Sequence, residues 1–277
     1  MLCTLSEILR DANERHYAVG AFNCLSLENV MGALEAAEDL RSPIILQVAE
    51  VQFPEAPLEL MAPLFLRAAK LSSVPVCVHL DHGQSIETCM KAIRLGFTSV
   101  MFDGAALPFD ENVDNTRLVT RMAKATGVDV EAELGRVGDS GVDTADVFTD
   151  VEESVRFIEA TGVDALAIAI GNLHGHYVHT PQLNIQRLIE IHEANRLPLV
   201  LHGGSGTSVE DFKACIHNGI CKINVATAIQ RGIMKAIRER MQTEPEVGYI
   251  PLKQVMIDAS RDVVAEHIRL FESNSRV

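Results

Sequence analysis

Along the chain, short runs of β-branched and apolar residues alternate with longer segments in which apolar positions recur at helical spacing. The runs are Tyr17–Asn23, Pro43–Ala49, Pro75–Asp81, Ser99–Asp103, Asp129–Gly135, Ala165–Gly171, Leu197–Gly203 and Cys221–Thr227. Within each run the apolar residues are continuous rather than alternating, as in strands covered by helices on one face and packed inside on the other. Pro43, Pro75 and Pro198 stand at or next to the start of three runs, where a missing N–H costs the ladder least. The helices between them have readable punctuation. Ser26 precedes a helical stretch over 27–40, and Ser85 opens another with Glu87 in its first turn and a stop at Gly96. Gly127, Gly162 and Gly219 mark further ends where left-handed backbone is expected. Thr4 and Glu7 have the spacing of a capping box that starts a first helix.

Eight strand–helix units without a break in composition predict an α/β protein: one (β/α)8 barrel, a TIM barrel, as a single domain over residues 1–277. The stretch from Leu252 to Phe271 reads as an additional C-terminal helical segment. A doubly wound open sheet would need fewer strands, and no G-x-G-x-x-G follows the first run.

Charge and composition narrow the partners. A net charge of −14 argues against nucleic acid or an anionic membrane as a general partner, and an anionic substrate would need a local site that defeats this field. No apolar run approaches the roughly 20 residues of a membrane span, and the N-terminus lacks a signal-peptide pattern. The six cysteines (Cys3, Cys24, Cys77, Cys89, Cys215 and Cys221) form no C-x-x-C pair. Reduced, mostly buried thiols in a cytoplasmic protein are expected.

In such a barrel the active site lies at the carboxyl ends of the strands. The third run delivers Asp81 and His82 together, an acid and an imidazole that suit metal binding and proton transfer. The fourth gives Asp103, the fifth Glu131 and Glu133, and the sixth leads to Asn172, His174 and His176. His202 ends the seventh, and Asn224 and Thr227 end the eighth. A single histidine at a strand exit is ordinarily a hydrogen-bonded loop residue. Histidines at three exits on one rim instead describe a catalytic zinc site, with one coordination position left open. Spacing alone leaves His174, His176 and His179 all available as the sixth-strand ligand. A second signal is the Leu-His-Gly-Gly-Ser-Gly-Thr stretch from Leu201 to Thr207, followed by Asn-Val-Ala-Thr from Asn224 to Thr227. Glycines admit an anion to backbone N–H groups, Ser205 and Thr227 add hydroxyls, and the loops after strands seven and eight are where this fold binds phosphate. The bland alternative is a flexible loop with a helix cap at Ser208.

With Asp81 and His82, Glu-Ala-Glu-Leu-Gly at 131–135, Gly-Asn-Leu-His-Gly at 171–175, His-Gly-Gly-Ser-Gly at 202–206 and Lys-Ile-Asn-Val-Ala-Thr at 222–227, the chain resembles the class II, metal-dependent ketose-phosphate aldolases. It is most similar to their fructose- and tagatose-bisphosphate branch, and the likeness runs in order through almost the whole chain. The resemblance implies one catalytic Zn²⁺ held by His82, His174 and His202, with Glu133 at a second metal position and Asp103 nearby. It implies that Asp81 protonates the acceptor aldehyde oxygen. Gly175, Gly203, Ser205, Asn224, Ala226 and Thr227 match the positions that hold dihydroxyacetone phosphate, Asn224 near its hydroxyketone and the others around the phosphate. A monovalent cation beside the phosphate, a phosphorylated sugar substrate and a homodimer or homotetramer are further implications.

Departures fall on one side of that site. The loop after strand five usually carries Gly-Gly-x-Glu-Asp in this family; here 138–146 reads Gly-Asp-Ser-Gly-Val-Asp-Thr-Ala-Asp, leaving Asp139 and Asp143 both open as the deprotonating acid. Ala49 and Ala105 stand where serines are frequent, and Ala228 where an acid is usual. The arginine that grips a distal phosphate is replaced within Leu252–Val255, which leaves Lys253 or Gln254, with Arg136 as another group on the acceptor side. An acceptor other than glyceraldehyde 3-phosphate is therefore expected. Three rival readings remain. A Schiff-base aldolase needs a desolvated lysine, but the sixth run has none and Lys222 sits early in the eighth. A zinc hydrolase on this barrel usually has His-x-His in strand one, where this chain has Ala-Phe-Asn-Cys at 21–24. A non-catalytic subunit that stabilises a sugar aldolase would not require the histidines or Asp81.

Overall fold

The computed structural model describes the chain except residues 136, 140–147, 175–181 and 205; for residues 138, 139 and 174 it describes the backbone alone. Eight parallel strands form at the eight apolar runs: β1 (Val19–Asn23), β2 (Ile44–Ala49), β3 (Val76–Gly83), β4 (Ser99–Phe102), β5 (Asp129–Leu134), β6 (Ala165–Ile168), β7 (Leu199–Leu201) and β8 (Ile220–Val225). Each pairs with its chain neighbours, and β8 returns to β1 with Asn224 opposite Ala21, so the sheet closes. A two-residue strand, Leu2–Cys3, adds to the start of β3. Beyond the exits of β5 and β6, Gly138–Asp139 pairs in parallel with Leu173–His174.

Helices α1 (Leu5–Arg15), α2 (Leu27–Asp39), α3 (Leu58–Leu71), α4 (Ile86–Leu95), α5 (Phe109–Lys124), α6 (Val151–Thr161), α7 (Ile185–Asn195), α8 (Val209–His217), α9 (Thr227–Thr243) and α10 (Tyr249–Leu270) surround the sheet. Their starts follow the local chemistry. Thr4 and Glu7 form the capping box of α1, while Ser26, Ser85 and Ser208 accept from the third backbone N–H of their helices. Gly96 and Gly162 close α4 and α6 at φ 98° and 65°. Gly127 and Gly219 also have positive φ but sit beyond the caps Ala125 and Asn218. The C-terminal helix begins at Tyr249, three residues before the predicted start, and packs on α2 and α9.

The core has two layers. Phe22, Leu46, Val78, Leu80, Val100, Val130, Leu166 and Ile223 face the surrounding helices. Inside the barrel, Val19, Ala21, Ile45, Cys77, Met101, Ala165, Ala167 and Val200 fill the amino-terminal half, closed below by Leu5, Ile8 and Leu9 of α1. Strand side chains repeat every two residues, so the next inward positions are Asn23 after Ala21, Gln47 after Ile45, and His79 and Asp81 after Cys77. The barrel interior therefore changes from apolar to polar on passing from its amino to its carboxyl end. All four of those polar residues are buried.

Candidate active site

β3 runs through Asp81 to Gly83, and His82 adopts φ 45°, a left-handed conformation unusual away from glycine. That kink turns the His82 ring across the barrel mouth. Its Nδ1 meets Asp103 Oδ2 at 2.7 Å, and its Nε2 lies 2.8 Å from His202 Nδ1. On the far side of His202, Nε2 meets Glu131 Oε1 at 2.8 Å. Each imidazole thus has a carboxylate on its outer nitrogen and a ring nitrogen facing the other imidazole. Where the outer nitrogens donate to their carboxylates, two lone pairs converge between the rings, and a cation or a shared proton must lie there.

Lys222 links this pair to the acid. Its ammonium lies 2.9 and 3.2 Å from the two Glu131 oxygens and donates to Asn224 Oδ1 at 2.6 Å. Lysine can only donate, so the Asn224 amide must present its Nδ2, and it does so to Asp81 Oδ1 at 2.9 Å. Asn23 Nδ2 donates to the other Asp81 oxygen at 2.8 Å, and Gln47 donates in turn to Asn23 Oδ1 at 2.9 Å. Lys222 and Glu131 are fully buried, which makes their pairing obligatory.

The charges respond to this arrangement. Burial alone would lower the affinity of His82 for its proton, but the carboxylates of Asp81, Asp103 and Glu133 outweigh it and raise the imidazole to about 10. Burial likewise opposes ionisation of Asp81, yet His82, His202, Lys222 and the Asn23 hydrogen bond bring it down to about 2. Glu133, buried and facing Asp103, is pushed up to about 8. Burial holds His79 well below the usual imidazole range. Among the described residues the metal-competent donors fall into two overlapping groups, Asp81 with His82 and His202, and His82 with Asp103 and Glu133.

Of the sequence-predicted residues, Asp81, His82, Asp103, Glu133, His202 and Asn224 come together around this network. The backbone of His174 lies in the short strand after β6, and its side chain is outside the description. Gly175, His176, His179, Asp143, Arg136 and Ser205 also fall outside the described residues, as does the Asp139 side chain. Gly203 takes φ 67° just after His202. Ala226 caps α9 and Thr227 begins it, so both stand at a helix N-terminus, and the buried Thr207 Oγ1 has no partner among the described residues. Lys253 pairs with Glu28 of α2 at 2.6 Å and lies over the Tyr249 ring, while Gln254 bonds Asp258 on its own helix. Asn23, Gln47, His79 and the linking role of Lys222 were not singled out by any motif. Their signal was a polar side chain within, or at the end of, an otherwise apolar run.

The model of the family "Fructose-bisphosphate aldolase class-II" matches residues 3–276. This chain belongs to that family. Class II aldolases are lyases that reversibly cleave an aldol carbon–carbon bond, and this chain is such an enzyme on a TIM barrel. It is 39% identical over 292 residues to the fructose-bisphosphate aldolase of Staphylococcus aureus, with 99% of each chain covered. The sulfofructosephosphate aldolase of Alkalicoccus urumqiensis is 39% identical over 279 residues, covering 97% of this chain and 96% of that one. Among solved structures, the YdjI aldolase of Escherichia coli K12 superposes with a TM-score of 0.92 at 34% identity, covering 100% of this chain and 99% of that one. The names of the two sequence relatives state different substrates.

Proposed function

We propose that this aldolase is zinc-dependent and cleaves a ketose 1-phosphate or 1,6-bisphosphate to dihydroxyacetone phosphate and an aldehyde. The observation that carries the reading is the pair of imidazoles 2.8 Å apart, each with a carboxylate on its outer nitrogen. That donor set suits a divalent cation with nitrogen preference, and His82 and His202 would hold it with His174 as third ligand. Glu133 and Asp103 would serve a second metal position beside them. Bound there, zinc would polarise the ketone carbonyl of the substrate and stabilise negative charge developing next to it.

The chain's own residues supply the rest. Held near 2 by its neighbours, Asp81 is a carboxylate at neutral pH, ready to take the hydroxyl proton of the substrate as the carbon–carbon bond breaks. In the synthetic direction the same carboxyl returns that proton to the aldehyde oxygen. Asn224, fixed by Lys222, faces the hydroxyketone. Gly175, Gly203, Ser205, Ala226 and Thr227 would surround the phosphate, with helix N-terminal N–H groups offsetting the net charge of −14. A monovalent cation at that loop, a homodimeric or homotetrameric assembly and a cytoplasmic location belong to the same reading. No described helix is long and apolar enough to cross a membrane.

The test is release of dihydroxyacetone phosphate from fructose and tagatose 1,6-bisphosphates, their 1-phosphates and acid-terminated ketose 1-phosphates, compared by kcat/KM. Release from at least one is expected, with His202→Ala inactive and depleted of zinc. An active, zinc-loaded His202→Ala protein would overturn the assignment.

A further inference from the structure

The loop after β2 does not drift away from the barrel mouth; it folds back over Asp81. Ala49, the last residue of β2, is in register with Asp81, and a single 3-10 turn, Glu50–Gln52, follows at once. Two side chains of that turn anchor it. Glu50 accepts from the Gln84 N–H at 2.7 Å and from Thr88 Oγ1 at 2.9 Å, which ties the turn to the loop that follows His82. Gln52 reaches back, its Oε1 accepting from the Ala49 N–H at 3.0 Å and from Asn23 Nδ2 at 3.3 Å. Asn23 Nδ2 is the group that also donates to Asp81 at 2.8 Å. One side-chain amide therefore touches both the Gln52 oxygen and the Asp81 carboxylate.

Two donors on its oxygen fix the orientation of the Gln52 carboxamide, so its NH₂ is the end left over. Among the described residues that Nε2 has no partner, and Gln52 is only half-buried. An amide NH₂ is a neutral donor: it suits a hydroxyl oxygen and is a poor match for a phosphate dianion, which favours charged, bidentate donors. We propose that Gln52 is a specificity-determining residue that donates to a hydroxyl of the acceptor aldehyde, selecting uncharged hydroxyaldehydes at the carbon next to the one Asp81 serves. The inference rests on the aldolase reading and on the proton role of Asp81 given above.

The experiment measures condensation of dihydroxyacetone phosphate with glyceraldehyde and with propanal, which lacks the hydroxyls, in the wild type, Gln52→Glu and Gln52→Met. The Gln52→Glu side chain keeps an oxygen for Ala49 and Asn23 but loses the donor, so a folding defect and a lost hydrogen bond are separated. Both variants are expected to lower the glyceraldehyde-to-propanal ratio of kcat/KM by roughly tenfold, the effect of one lost hydrogen bond. Exchange of the dihydroxyacetone phosphate proton with solvent, measured without aldehyde, should fall by less than glyceraldehyde condensation. An unchanged ratio in both variants, or exchange falling as far as condensation, would overturn the proposal. A wild type that exchanges the proton but does not prefer glyceraldehyde also overturns it. A wild type with neither exchange nor condensation refutes dihydroxyacetone phosphate as the donor, and the role of Gln52 falls with it.

Discussion

Lys222 is the residue on which both halves of the site depend. It neutralises Glu131, which orients His202, and it fixes the Asn224 amide, which orients Asp81. Lys222→Met keeps the volume but leaves the Glu131 carboxylate buried against the imidazoles of His202 and His79. Breaking a buried pair in this way costs roughly 3–5 kcal/mol, and urea unfolding should show a loss of that order. Partners that orient metal-binding imidazoles contribute on the order of 10–100-fold to metal affinity or activity, so the folded variant should also bind zinc less tightly. A variant as stable and as zinc-loaded as the wild type would contradict this account of the network. At Asp81 the expected effect is narrower. Asp81→Asn should lower cleavage by roughly 10²–10⁴-fold, while exchange of the dihydroxyacetone phosphate proton declines less, because Asp81 acts on the aldehyde oxygen. Equal loss in the two assays would assign Asp81 a different role.

At the scale of elements, the strands were legible because proline and glycine punctuate them and because their apolar runs are continuous. Their ends were read one to three residues long at Asp103, Gly135, Gly171 and Gly203, since the extended composition continues after the ladder stops. The exit residues of the site were legible for the same reason: they follow directly from the strands. The interior polar layer was not, because Asn23, Gln47, His79 and Lys222 lie within apolar runs and gain meaning only once the inward face is known. Gln52 was still less accessible, being placed by a turn with no periodic pattern. One contact between elements was also invisible in sequence. Gly32 of α2 lies against the backbone of α10, where a Cβ would stand 2.7 Å from the Arg261 nitrogen. Gly32→Ala should therefore destabilise the protein despite the higher helix propensity of alanine, by roughly 1–3 kcal/mol. A raised Tm would show that α10 moves aside without cost.

For the whole molecule, the barrel explains why one end is inert and the other reactive. α1 closes the amino end over an apolar interior, and the carboxyl end collects carboxylates, imidazoles, amides and one lysine from strands on every side. The negative field of the chain would repel a phosphorylated sugar, so the proposed reading assigns its recognition to the glycine loop after β7 and the N-terminus of α9 rather than to overall charge. Lys253 is engaged by Glu28, an ion pair with which a distal phosphate would have to compete. A buried lysine beside a substrate carbonyl could also suggest covalent chemistry, yet Lys222 is held by Glu131 and Asn224 and lies beneath the imidazole pair. The two chemistries separate in one measurement: release of dihydroxyacetone phosphate from a ketose 1-phosphate substrate after chelation, after re-addition of zinc, and after borohydride treatment in the presence of that substrate. The account predicts activity lost on chelation, restored by about one zinc per chain, and untouched by borohydride. Full activity in the metal-free protein, with irreversible loss on borohydride treatment and modification of Lys222, would contradict it.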